Sequence, residues 1–293
     1  MSHNFNYISY LLTKPFHSYK HKVLKKRARN VAFKSNLYQN VLKELSEYTN
    51  QDASLIENKR KELTSQINRT NYDILSEEEL ERFYGQNTHS LYNLPLWNAE
   101  CGRSLYFSWL LVPYLKRHNF KTILDFGAGS GDLCIELANR DFSLYYTDIN
   151  RILVDFADWR FKKRSLNIKI IEPEDLDKQK VDCLVSFDVF EHLKDLPLKL
   201  KKINSFIKKG GGLIFNIEFD GGGLHLEENQ AYSDENRLDR VLSGAGFIFD
   251  WKFKKFFFYR KVKDVSSGSG GLLENPEEAA HIEDRLRELG YLG

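Results

Sequence analysis

The sequence predicts an α/β fold: a mostly parallel sheet covered on both faces and preceded by a helical extension. Three observations carry this. From Lys121 onward, short apolar runs of strand length alternate with amphipathic stretches of helical period. Each strand-like run is followed by a helix-like one, the order that joins parallel strands through crossovers. Before Lys121 the apolar spacing is helical, and near the C-terminus two aromatic runs follow each other with little between them.

Taken in order, residues 1–118 are expected to be helical. "SNLYQNVLKELSEY" places Leu37, Val41 and Leu45 on one face. In "SEEELERFYG", Ser76 and Glu79 make a capping box and Gly85 a stop. A further helix is expected from Ala99 to His118, with Leu105, Trp109 and Val112 inward and a kink or break at Pro113. Tyr84, Tyr92, Trp97 and Trp109 belong to this stretch, as core residues or as the lining of an apolar pocket under a lid. The strands then read "TILDFG", "SLYYTD", "IKIIE", "VDCLVSFD" and "GGLIFNIEF", with "GDLCIELANR", "NRILVDFADWRFKKR" and "PLKLKKINSFIKK" as helices between them. "GFIFDWKF" and "FFFYRKV" predict an antiparallel hairpin at one sheet edge.

Bulk properties narrow the class. The 293 residues are 42% hydrophobic and 29% charged, ordinary for a soluble globular protein. No apolar run approaches the ~18 residues of a membrane span. The start, "MSHNFNYISYLLTKPF", lacks a basic segment followed by a sustained apolar one, so no secretory leader is expected. Three scattered cysteines, Cys101, Cys134 and Cys183, suit a reducing cytoplasm and not a disulfide framework. Net charge is +2, but from Val265 onward six acids face two arginines, which leaves +6 on the rest. The basic run "KHKVLKKRARN" reads as a solvated helix face, or as a surface for phosphates or an anionic membrane. "SSGSGG" reads as a linker, and the acidic segment after it as a fused or foreign helix, or as one that docks a partner through Ile282, Leu286 and Leu289. The expected division is 1–118, 119–263 and 264–293.

"ILDFGAGSGD" joins the first strand to a helix, and Gly127, Gly129 and Gly131 let a ligand lie against bare backbone. A nicotinamide fingerprint fails, because Asp132 stands where its third glycine belongs, at a helix N-terminus meant for pyrophosphate. A P-loop fails for want of Gly-Lys-Ser/Thr. A cationic ligand suits the loop better. S-adenosylmethionine carries a sulfonium and an ammonium, and Asp125 is placed to hold the latter. Asp148 ends the second strand, where a carboxylate can accept both ribose hydroxyls, and Glu172 ends the third, near the expected adenine. Carboxyl ends of strands are where open parallel sheets bind ligands.

On these motifs residues 121–262 resemble a class I S-adenosylmethionine-dependent methyltransferase. "LDFGAGSGD" resembles its first motif, Asp148 its ribose acid, and "DCLVSFDVFEHL" its fourth-strand motif. The resemblance implies a Rossmann-like, seven-stranded sheet whose last strand is inserted antiparallel. A narrower likeness is to the ubiquinone-type O-methyltransferases, in which an arginine before the first strand meets the cofactor carboxylate. Arg103, 22 residues before Asp125, has the comparable place, or is a surface arginine. Ala128, Ile149 and Phe187 complete the set assigned to the cofactor.

"VSFDVFEHL" then places Asp188, Glu191 and His192 on one face of an expected helix, with His225 following the fifth strand after "DGGG". The pattern resembles the metal-assisted members of the family, including the terminal 2′-O-methyltransferases of small RNAs, with Asp188 where those have glutamate. Three readings stand. The four residues bind Mg²⁺ or another divalent ion, which lowers the pKa of an acceptor hydroxyl. His192 or His225 acts as a metal-free general base or orienter. Or the cluster is structural, with Asp188 capping the helix. The chain is therefore expected to be a cytoplasmic methyltransferase acting on an oxygen of a small, lipid-like or sugar acceptor. The alternatives are a terminal RNA 2′-O-methyltransferase, although nucleic acid is not the expected partner, and a non-catalytic binding protein that keeps the fold.

Overall fold

The computed structural model describes residues 2–67, 75–217 and 225–265. The expected tail helix and the three glycines at 221–223 lie outside them. Six helices precede the sheet: α1 (Ser2–Lys34), α2 (Leu37–Thr49), α3 (Ala53–Ile67), α4 (Glu77–Gly85), α5 (Thr88–Cys101) and α6 (Arg103–Arg117). Then come β1 (Thr122–Phe126), α7 (Asp132–Ala138), β2 (Ser143–Thr147), α8 (Arg151–Lys163), β3 (Ile168–Ile170), β4 (Val181–Ser186), α9 (Leu196–Phe206) and β5 (Ile207–Asn216). A short α10 (Glu227–Gln230), α11 (Glu235–Gly244), β6 (Phe247–Phe253) and β7 (Phe256–Lys261) complete the order.

The seven strands run β3-β2-β1-β4-β5-β7-β6. β1 to β5 pair in parallel, and β7 is antiparallel to both β5 and β6. The last strand is thus inserted between β5 and β6, as the resemblance implies. Lys254 takes a left-handed φ of 57° in the turn that reverses the chain between β6 and β7. One core joins α6, α7 and α8 to the sheet through Leu111, Leu137, Ala157 and Val185. The opposite face packs α9 and α11 through Leu200, Ile203, Leu238 and Leu242. Chain order reverses between β1 and β4, so their carboxyl ends open a crevice there.

Two expectations for the helical extension are corrected. The helix anticipated over Ala99–His118 is two helices, and the break is at Gly102, while Pro113 sits inside α6. Gly102 has φ +61°, and a Cβ on it would lie 2.6 Å from the Ala28 carbonyl oxygen of α1. Close passage of α1 therefore demands glycine and a turn at this point. The inward face of α6 is also rotated from the one expected. Tyr106, Leu110, Leu111, Tyr114 and Leu115 are buried, whereas Leu105, Trp109 and Val112 pack at the margin. The capping box of α4 is present in both directions: Glu79 N–H donates to Ser76 Oγ at 3.2 Å, and Ser76 N–H to the Glu79 carboxylate at 2.7 Å.

Candidate active site

A cavity of about 700 Å³ opens over the carboxyl ends of β1, β2 and β4 and beneath α4. One side is made by the loop from Gly127 to Gly131. Gly127 and Ala128 donate backbone hydrogen bonds to the Thr147 carbonyl at 3.0 and 3.1 Å, which fastens the loop to β2. Gly129 has φ +55°, and a Cβ there would meet Leu94 Cδ2 at 2.5 Å. The backbone is consequently bare where it faces the cavity.

Asp148 anchors the same loop. Its carboxylate accepts the Gly129 N–H at 2.7 Å and the Asn150 N–H at 2.8 Å, with the Ile149 N–H also directed at it. Burial pushes its carboxyl above the usual range, against the pull of those N–H groups. Asp125 is 4% exposed and accepts a hydrogen bond from Cys134 Sγ at 3.4 Å. Burial, with Asp148 and Asp132 nearby, pushes its carboxyl up to about 7. A cation entering this corner finds two carboxylates whose ionisation it would favour.

Asp132 plays a different part. Arg160 Nη1 lies 2.8 Å from it, Asn98 Nδ2 donates at 3.0 Å and Ser130 Oγ at 2.5 Å. The acid that excludes pyrophosphate from the start of α7 is thus held inside by a buried arginine. Arg103 hydrogen-bonds Asn98 Oδ1 at 3.3 Å, pairs with Asp188, and lies 4.7 Å over the rings of Trp97 and Phe107. Phe187 stacks obliquely on Phe107 at 4.5 Å between centroids, and Ile149 is exposed at the rim.

The polar cluster that follows β4 is not laid out as a helix. Phe190–His192 form a single 3-10 turn and α9 starts only at Leu196, so the expected i, i+3, i+4 face does not exist. Asp188 takes φ +55° and turns away: its N–H donates to Asn216 Oδ1 at 2.8 Å, and its carboxylate receives Arg103 and Asn216. The ligand set expected from the sequence therefore loses Asp188. Glu191, His192 and His225 do converge, each with a donor atom within 4.8 Å of the others. The Asn229 amide holds their turn, donating to the Phe190, Glu191 and Leu193 carbonyls at 3.3, 3.2 and 2.9 Å. Tyr84 on α4 closes over them, its hydroxyl 3.2 Å from His192 Nδ1.

Of the other expected site residues, Asp125, Gly127, Ala128, Gly129, Asp148, Ile149, Phe187 and Arg103 all line the cavity. Gly131 is turned against Phe161 instead. Glu172 lies past the end of β3, exposed and paired with Arg151 at 2.8 Å, and does not line the cavity. Tyr84 and Trp97 reach the cavity, whereas Tyr92 is buried among α2 and α5, and Trp109 lies under Arg27. Asn98, Asn216 and Asn229 escaped the sequence reading. Asparagines outside any motif carry no spacing signal, and their partners are 34, 28 and 36–39 residues away.

An open parallel sheet with its last strand inserted antiparallel, a glycine loop after β1 and an acid after β2 define the class I S-adenosylmethionine-dependent methyltransferases. Residues 102–237 match the family model described as a methyltransferase domain, and the fold and site of this part of the chain have the features of that class. A ubiquinone biosynthesis O-methyltransferase from Pelagibacter ubique is 30% identical over 92 residues, which are 30% of this chain and 38% of that protein. One from Coxiella burnetii is 31% identical over 100 residues, 33% of this chain and 43% of that protein. The matches thus span about two fifths of these relatives' length. A solved structure of magnesium protoporphyrin IX methyltransferase from Synechocystis aligns with 67% of this chain and 99% of its own, at 16% identity and a TM-score of 0.45.

Proposed function

We propose that this chain transfers a methyl group from S-adenosylmethionine to an oxygen of a small or medium-sized acceptor. One observation carries the reading: a single cavity joins the glycine loop and Asp148 at one end to Glu191, His192 and His225 at the other. The donor fits its end, because bare backbone and two acids suit a cationic nucleoside better than a pyrophosphate. Asp148 would accept ribose hydroxyls, Asp125 would face the ammonium, and the ring of Phe187 would bound the reacting centre. S-adenosylmethionine supplies an electrophilic methyl group, so the residues need mainly to align the acceptor in line with it. Leu80, Leu176, Ile203 and Phe206 give the acceptor end an apolar wall. Either imidazole can take the proton of an acceptor hydroxyl, and Tyr84 orients His192.

A divalent ion fits the acceptor end as well. One carboxylate and two imidazoles suit a borderline first-row ion better than Mg²⁺, which prefers oxygen ligands. Such an ion would lower the pKa of an acceptor hydroxyl. Donor binding is the first test. Calorimetry with S-adenosylhomocysteine should register binding to the wild type and a loss of at least about tenfold in Asp148→Ala, equivalent to about 1.4 kcal/mol. Absence of heat with the wild type overturns the proposal.

A further inference from the structure

The helix α1 carries a surface that methyl transfer does not use. Its inner face is set by His17, Leu24, Ala28 and Ala32, which pack on the body of the protein. Its outer face is unlike an ordinary solvated helix. Tyr19, Val23, Lys26, Asn30 and Phe33 recur at intervals of three or four residues and so fall on one line, opposite Ala28. Tyr19 is 69% exposed, Val23 43% and Phe33 82%. Val31, on the flank, is exposed too. These four are among nine exposed large hydrophobic residues recorded for the described chain, gathered within 15 positions.

Charge on this helix is one-sided. From Lys20 to Lys34 there are seven lysines and arginines and no acid. Lys22, Lys26 and Lys34 flank the exposed Tyr19, Val23 and Phe33 on the outer face. Such a composition answers an interface that is anionic at its surface and apolar just beneath. Lysine heads reach outward to phosphates while rings and short aliphatic side chains enter the acyl boundary. A nucleic acid would use the cations but has nothing to gain from Val23 and Val31, which line a shallow hollow with Arg27 and Asn30 and offer no ring for base stacking. A second copy of the same face would set Lys22, Lys26 and Lys34 against their own counterparts.

We infer that the outer face of α1, from Tyr19 to Lys34, is a docking surface for an anionic phospholipid bilayer. It holds the protein peripherally, along about 24 Å of helix. The inference stands apart from the transfer reaction, because none of these residues lines the catalytic cavity.

Flotation of the full-length protein with vesicles tests it. Vesicles of phosphatidylcholine containing about one-third phosphatidylglycerol should carry the protein, and pure phosphatidylcholine should not. Reversing Lys22, Lys26 and Lys34 together to glutamate should lower partition roughly tenfold or more, as should moderate salt. Tyr19→Gln with Phe33→Gln should weaken it several-fold while keeping helix propensity, with circular dichroism and S-adenosylhomocysteine binding unchanged. The inference is overturned if anionic vesicles leave the protein unbound, or if these variants float like the wild type. It is equally overturned if light scattering shows a dimer that the Phe33 change dissolves, or if the face retains duplex RNA but not vesicles.

Discussion

At the scale of the residue, Asp125 is a buried carboxyl at the edge of the donor corner. It is sealed beneath the glycine loop, and its carboxyl is pushed from 3.8 up to about 7. Between those values the folded chain holds a proton that the unfolded chain has released. Stability from this group is therefore full below about 3.8 and declines as pH rises to about 7. Donor binding runs the other way, because an ammonium group favours the ionised carboxylate. Affinity for S-adenosylhomocysteine should fall several-fold as pH is lowered from 8 to 6, and Asp125→Asn should flatten that slope. Calorimetry across this range checks it, and an unchanged slope in Asp125→Asn would assign the pH dependence to another group.

At the scale of the element, the decisive piece is the turn after β4. Asn229 on α10 is 1% exposed and places three hydrogen bonds on it. Asn229→Ala removes them; the Phe190 and Glu191 carbonyls keep the Leu193 and Leu226 N–H groups, so the loss falls mainly on the Leu193 carbonyl, a cost of about 1–3 kcal/mol. The spacing of Glu191 and His192 from His225 should loosen as a result. Affinity for Mn²⁺ or Zn²⁺, titrated into chelator-treated protein, should drop while donor affinity holds. Loss of both would mark a general folding defect instead. The same turn shows how far sequence reasoning reaches. Strands, the glycine loop, the α4 capping box and the closing hairpin were legible, because each follows from local periodicity or from a dihedral requirement. The turn was not. "FDVFEHL" has helical spacing, but Asn216 and Arg103 capture Asp188 and fix it in a left-handed conformation that stops a helix from starting there. Glu172 misled for a related reason. It sits at a strand end in the sequence, yet Arg151, the first residue of α8, pairs with it and holds it outward. Partners distant in sequence decided both cases.

At the scale of the whole molecule, the helical extension and the sheet are joined through one buried cation. Arg160 on α8 is 2% exposed. It reaches Glu44 of α2 at 3.1 Å, Asp132 of α7 at 2.8 Å and the Ser130 carbonyl of the glycine loop at 2.6 Å. Three elements and the loop that faces the donor share this guanidinium, and its fork geometry allows what a lysine could not. Its value is greatest as protection of Asp132, because Glu44 keeps a second pair with Arg164 whereas Arg160 is the cation that neutralises Asp132. Arg160→Met keeps the volume and removes the cation, so the expected cost is that of breaking a buried pair, about 3–5 kcal/mol. For a domain of this size that is a fall in melting temperature of roughly 6–20 °C. Because Ser130 and Asp132 border the donor corner, donor affinity should fall as well. Replacing all three charges, with Glu44→Gln and Asp132→Asn added to Arg160→Met, should recover part of the stability but little of the donor affinity. Thermal unfolding and calorimetry on the single and triple variants check this. A triple variant no more stable than the single one would mean that the arginine acts by packing against Phe156, over whose ring it lies at 5.3 Å, and not by neutralising the two acids.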